Sequence, residues 1–405
     1  MNISVDLHSE EFYRNPFTTF EFLRNEKPVF YDEIDKRWVI TRYVDVADVL
    51  RNHRVFSAEP YSRFTDVIGL TMAHMDGKDH DSRRSIVAPP MVGKNLEESL
   101  LPHVRSASEK IAGGLDREGP FEARSRLGKQ LPLKTMVRLL GLSEKDEGFL
   151  SDVTTKVIRA LQGDEPYKSI GKAAHDSFAL LLANLIGERG KNPESDLLTS
   201  LINSEDEEGN RLSESEVISF MSLLLVAGSE TTELGLTNFL QVLLSHPDHL
   251  SRAETDSEYL NACFTEFMRR DCVVAYEDRG VTEETEIHGV SIKPGEFVRV
   301  ALLSANNDET IFNAPREFNP SRTDLLLERE HRSGGIQNGR ANHLGFGLGK
   351  HFCIGYMLAR AEVVTITEML LKNYSIAISP LQEEALKLHW WNWSVNSLLL
   401  EAKQK

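Results

Sequence analysis

Cysteine is scarce in this chain: three in 405 residues, Cys263, Cys272 and Cys353. An odd and widely spaced set supplies neither an even disulfide framework nor the CxxC pairs of a structural zinc site. Positive charge is also short. Against 62 Asp and Glu stand 46 Lys and Arg, a net charge of −16, which argues against a surface that tracks nucleic-acid phosphates or adheres to anionic lipid. Apolar runs such as "LLLVA" and "FALLLANLIG" stop well below the ~20 residues that span a bilayer. The opening "MNISVDLHSEEFYRNP" has no basic stretch followed by an apolar one, so no secretory signal is read there. The expectation is a cytoplasmic protein with no nucleic-acid and no membrane partner. Repeats, low-complexity tracts and Pro/Gly-rich linkers are missing too, so residues 1–405 read as one domain, although a long one.

What is present is an ordinary globular composition, 40% hydrophobic and 27% charged, enough for a large core. "KPVFYDEIDKRWVITRY" alternates like a small hairpin, whereas "PHVRSASEKIAGGL" and "SIGKAAHDSFALLLANLIGERG" carry helical periodicity. After the acidic "NSEDEEGNRLSE", Ser213 and Glu216 form a capping-box pattern that opens a long helix reaching about Ser245. A further helix surrounds "YLNACFTEFMRR", and strand-like pieces follow in "TEIHGVSIKPGEFVRVAL". The predicted fold class is mainly α with a small β region.

The chemistry concentrates in "HLGFGLGKHFCIGYMLAR", His343 to Arg360. Gly345, Gly347, Gly349 and Gly355 let the backbone around Cys353 turn tightly and approach another body. The pattern becomes helical just beyond, and a thiol at a helix N-terminus is expected to have a lowered pKa. Such a thiolate can act as nucleophile, redox sensor or single metal ligand; a lone cysteine can also simply be a small buried hydrophobe.

Phe346-Gly347-x-Gly349-x-His351-x-Cys353-x-Gly355 resembles the haem-binding loop of the cytochrome P-450 family. The resemblance implies the cytochrome P-450 fold, with a long central helix over the haem, and makes Cys353 the thiolate ligand of the haem iron. It extends to "VAGSETT", where Ala227 and Gly228 leave room for dioxygen and Glu230 and Thr231 match the acid–alcohol pair that delivers protons. Glu266-x-x-Arg269 and Arg322 match the family's structural lock. His80, Arg84, Arg279, His343 and His351 match positions beside the haem propionates. The implied pocket draws on residues 56–70 and 157–167, on Met221, Leu224, Leu225 and Gly228, and on Val274, Ala275, Tyr276 and the tryptophans Trp390, Trp391 and Trp393. By the same resemblance the cofactors are heme b (iron protoporphyrin IX) and O2. Electrons come from NAD(P)H through a reductase and a separate ferredoxin or flavodoxin, which could dock near Arg83, Lys94 and Lys350.

The implied activity is monooxygenation of a mostly apolar small molecule, a natural-product intermediate rather than a plain fatty acid. The alternatives are a peroxide-driven haem-thiolate oxidase, disfavoured by the intact "GSETT", and a non-catalytic scaffold, disfavoured because both Cys353 and Thr231 stand. The sequence departs from the family at Cys272 and Val273, where prolines are usual, and at Gly345 and Val281, where alanine is more frequent.

Overall fold

Ser213 begins the element that organises the molecule. Its hydroxyl accepts from Glu216 N at 3.3 Å while Glu216 Oε2 accepts from Ser213 N at 2.8 Å, so two helix-end donors are satisfied reciprocally. The helix that follows, Glu214–Leu244, is called the central helix below; at 1.5 Å per residue it is roughly 46 Å long. By length and composition alone it could cross a membrane, but 56% of its most apolar window is buried inside this protein.

The structure, a computed structural model, describes residues 5–115, 119–326, 336–383, 387–389 and 391–405, without the side chain of Arg63. Trp390, expected to help close the pocket, lies outside the described residues. Two apolar cores flank the central helix. Its N-terminal half, through Val217, Met221 and Leu225, belongs to a helical core with Leu150, Val153 and Phe178. Its C-terminal half, through Leu236, Phe239 and Leu240, belongs to a core shared with the strands and with Phe264 and Phe267.

The predicted hairpin forms from Val29–Asp32 and Arg37–Ile40 and starts a five-stranded sheet. Arg37–Ile40 pairs in parallel with Phe297–Ala301, which pairs antiparallel with Tyr276–Val281 and sets Arg279 opposite Val298. Phe56–Ser57 closes the far edge against Val281 and Gly280. This sheet fixes the stretch after the helix Ser257–Arg270, so that Val274 to Arg279 runs past the middle of the central helix.

Glu266 and Arg269 sit one turn apart on Ser257–Arg270, and both side chains are 0% exposed. Arg269 donates twice to the Glu266 carboxylate, at 2.8 Å each, and Arg322 adds a third bond at 3.1 Å. The remaining Arg269 donors reach Asn306 O at 2.9 Å and Pro315 O at 2.7 Å. Asn306 in turn accepts from Leu344 N at 2.6 Å, at the entrance to the cysteine loop.

Removing one member of a buried, fully hydrogen-bonded ion cluster strands the other charges, at a cost of about 3–5 kcal/mol. Arg269→Ala is therefore expected to lower the urea midpoint sharply or to abolish soluble expression. An unfolding curve that overlays wild type would show that the cluster carries no stability.

Candidate active site

Where the central helix passes from one core to the other, at residues 226–233, the apolar packing opens. Ala227, Gly228 and Thr231 carry little bulk, and an inner cavity lies against them with Cys353, Phe346 and Leu358 on the opposite side. It holds about 1160 Å³ free of protein atoms, part of it open to solvent. An outer chamber of about 960 Å³ shares Ala227, Thr231, Val274 and Glu277 with it and is walled by Tyr61, Phe64, Leu161, Gln162 and Trp391. Phe64, Leu161 and Gln162 also border a mouth at the turn before the helix Tyr167–Lys191.

Cys353 is held by its backbone, with N donating to Phe346 O at 2.9 Å. Gly347 and Gly349 have φ of +71° and +73°, where side chains are strained. A methyl group at Gly349 would also stand 2.6 Å from Leu50 O, so the loop can lie this close to its neighbour only with glycine. The helix Tyr356–Asn373 begins three residues after the cysteine. The expected lowering of the thiol pKa is not found. Burial pushes it up to about 11, against the opposing pull of the Gly355 N–H and the Arg84 guanidinium, because desolvation outweighs a helix end that starts too far along the chain.

One sulfur in a largely apolar slot is a poor site for a bare ion, which needs three or four protein ligands. The one ligating cluster among the described residues, His8, Asp32 and Asp35, borders a different pocket. The donor set therefore suits a flat group that brings its own in-plane ligands, and haem is such a group. Gly355, where an added methyl would meet only open space, borders the same slot.

Thr231 stands in the wall common to both chambers, and its hydroxyl donates to Ala227 O at 2.7 Å. Glu230 faces the outer chamber, held by Gln162 Nε2 at 3.1 and 3.4 Å, and burial raises its pKa. Of the residues expected beside the propionates, His351 lines the inner cavity and reaches Asp76 at 3.2 Å. The His80 ring lies 4.4 Å from it, and Arg84 Nη2 donates to Phe352 O at 2.6 Å. Arg279 is buried and bound to Glu277 Oε2 at 2.7 Å. His343 is buried next to Phe346, its Nδ1 accepting from Gly345 N at 3.3 Å, away from the cavity wall.

Leu224, Gly228, Val274, Tyr276 and Trp391 do line the two chambers. Met221 and Leu225 do not. Met221 lies a turn before the cavity begins, and Leu225 is on the edge of the lining stripe, so both are buried in the helical core. Ala275 is buried as well, its N–H donating to Trp391 O at 2.9 Å. Trp393 packs edge-on against Phe17. Sequence reasoning missed Gln162, Glu277 and Glu362. Only Glu362 left a signal, as a lone acid in the apolar run "AEVVTI".

Glu362 is buried in the inner cavity wall, facing Thr135, and burial pushes its pKa from 4.5 up to about 8. The folded state thus keeps a proton that the unfolded chain gives up, so stability is full below pH 4.5 and declines as pH rises towards 8. At 1.36 kcal/mol per unit the loss is about 3 kcal/mol by pH 7. Urea unfolding should show Glu362→Gln matching wild type near pH 4.5 and exceeding it at pH 7. Parallel pH profiles would mean that the carboxyl is already ionised in the folded protein.

Comparison with known proteins agrees with this geometry. The family model described as cytochrome P450 (written P-450 here) matches residues 164–404. Vitamin D(3) 25-hydroxylase of Pseudonocardia autotrophica is 30% identical over 88% of this chain and 86% of its own. Pulcherriminic acid synthase of Bacillus subtilis is 28% identical over 90% and 89%. The crystal structure of a cytochrome P-450 from Chondromyces apiculatus superposes with a TM-score of 0.86 at 26% identity, covering 99% of this chain and 98% of that one. With a thiol set opposite a small-residue gap in its central helix, the chain belongs to the cytochrome P-450 family and is a haem-dependent monooxygenase.

Proposed function

We propose that this enzyme oxidises a mostly apolar small molecule, a natural-product intermediate, with electrons relayed from NAD(P)H by a reductase and a separate ferredoxin or flavodoxin. The observation that carries the reading is the position of Thr231, in the one stretch of wall that the Cys353 cavity and the outer chamber share. Haem, when bound, supplies the dioxygen chemistry. Cys353 is its ligand. Arg84, Arg279, His80 and His351 are the cations and donors for its carboxylates, and His343 supports the loop from behind.

Thr231 and Glu230 carry the proton work. The Thr231 hydroxyl is held on Ala227 O and must turn from it to present its proton to the cavity. Glu230 stands one residue back on the outer side, and its raised pKa lets it hold a proton nearer neutrality than an exposed glutamate does. Gln162 fixes its orientation until that bond opens. The apolar walls of Leu161, Val226, Val274 and Trp391 position the substrate and exclude water. Relatives named for vitamin D(3) and pulcherriminic acid support a small-molecule substrate. Of the cations offered for donor docking, Arg83 is engaged by Glu216 and Lys350 by Asp81. Lys94, 81% exposed beside Glu98, is the most accessible.

The carbon monoxide difference spectrum of the reduced protein is the direct test. A red-shifted thiolate-type Soret band should appear in wild type and vanish in Cys353→Ala; the same spectrum in both would remove Cys353 from the iron. Thr231→Ala is expected to keep that band while product formed per electron consumed falls on the order of 10²-fold, the usual size of an acid–base contribution. Unchanged coupling would assign the proton route to other residues.

A further inference from the structure

We propose that the outer chamber selects substrates bearing a hydrogen-bond-donating, positively charged head on an apolar body, and that Glu277 is the residue that anchors that head. The inference rests on the monooxygenase reading above and names the substrate class for that same site.

The chamber presents acceptors. Its polar side chains are Gln162, Glu230, Glu277, Asp278 and Arg299. Arg299 is spent, bound to Asp35 and to both oxygens of Asp278. Asp278 is spent as well, since Arg37 shares it. Gln162 directs its Nε2 at the Glu230 carboxylate and leaves Oε1. Glu277 gives Oε2 to Arg279, and among the described residues Oε1 has no partner.

Glu277 is also placed where a substrate must pass. It lines both chambers, and its side chain is 19% exposed. Its Oε1 lies over the cysteine loop, 2.9 Å from where a methyl group on Gly347 would stand. A carboxylate oxygen in an apolar wall without a hydrogen-bond partner is costly, and a donor arriving on a ligand relieves that cost. A ligand carboxylate would instead meet Glu230 and Glu277 at close range.

The mouth has the same bias. Including it, the described walls carry six carboxylates (Asp66, Asp164, Glu165, Glu230, Glu277, Asp278) against three cations (Lys168, Lys172, Arg299). Each of those cations has a carboxylate partner: Lys168 has Asp164 at 3.9 Å and Lys172 has Asp176 at 3.1 Å. A positively charged ligand is therefore drawn inward and a negative one is opposed along the whole path.

Two probes of equal chain length separate the cases: dodecylguanidinium, a cation that donates hydrogen bonds and stays protonated, and dodecanoate. Binding to the holoenzyme is measured by equilibrium dialysis and by the haem spin-state shift. Dodecylguanidinium should bind more tightly by roughly tenfold or more, the size expected of one charge-assisted hydrogen bond. Glu277→Gln should remove most of that preference, and Glu277→Asp should retain it. Gln162→Leu, which leaves the Glu277–Arg279 pair untouched, should leave the preference in place and covers the case in which Glu277→Gln fails to fold. Equal or tighter binding of dodecanoate to wild type, or an unchanged ratio in Glu277→Gln, would overturn the assignment. The carbon monoxide spectrum of the same samples keeps this outcome distinct from failure of the haem-thiolate reading, which would show as loss of the band itself.

Discussion

The structure depends on holding one thiol at a fixed place across a gap from the central helix. Neither side of that gap is stabilised by contact with the other, because the space between is cavity. Each side must be anchored from behind. The central helix is anchored by belonging to two cores at once, Met221 and Leu225 in one, Leu236 and Phe239 in the other. The cysteine loop is anchored by the Glu266–Arg269–Arg322 cluster, which reaches it through Asn306 and Leu344 N. Buried ion clusters are weak evidence for stability as such. Here the cluster ties the helix before Val274, the segment around Pro315 and the loop around Leu344 to one point, and that is geometric specification.

The same gap sorts the ionisable groups. Glu362, in the inner wall opposite Thr135, keeps its proton because nothing nearby compensates its charge. Glu277 sits where Arg279 does compensate it. Glu230 is intermediate, buried enough for its pKa to rise and bound to the neutral Gln162. Three carboxyls within one pair of chambers thus occupy three electrostatic settings, and only the one beside Thr231 is suited to release and regain a proton near neutrality.

Much of this was legible in the chain where a signal was local. The Ser213 and Glu216 cap, the hairpin near Trp38 and the helix after Cys353 all follow from neighbours within a few residues. The cysteine loop was legible because its glycines are required one by one, Gly349 by its positive φ and by Leu50 O. What depends on distant packing was not. Met221 and Leu225 have the right residue type on or beside the lining stripe and are still covered by the helical core. Gln162 meets Glu230 from 68 positions away, and no periodicity encodes that. The thiol pKa was misjudged because helix polarity can be read along a sequence and burial cannot.

The departures from the family pattern follow the same logic. Cys272 and Gly345 looked like two unrelated substitutions, one for proline and one for alanine. In the structure they share one volume: a methyl group on Gly345 would lie 2.9 Å from Cys272 Cβ and 2.7 Å from Met268 O. Cys272 Sγ meanwhile contacts the Asn306 amide at 3.4 Å, and Asn306 is the residue that ties the ion cluster to Leu344. The cysteine therefore packs where an alanine in the loop would otherwise press, and the glycine lets the loop come down onto it. Gly345 is required by this contact rather than by its backbone angle, which explains how the loop tolerates the loss of a side chain and still sets Cys353 opposite Gly228 and Thr231.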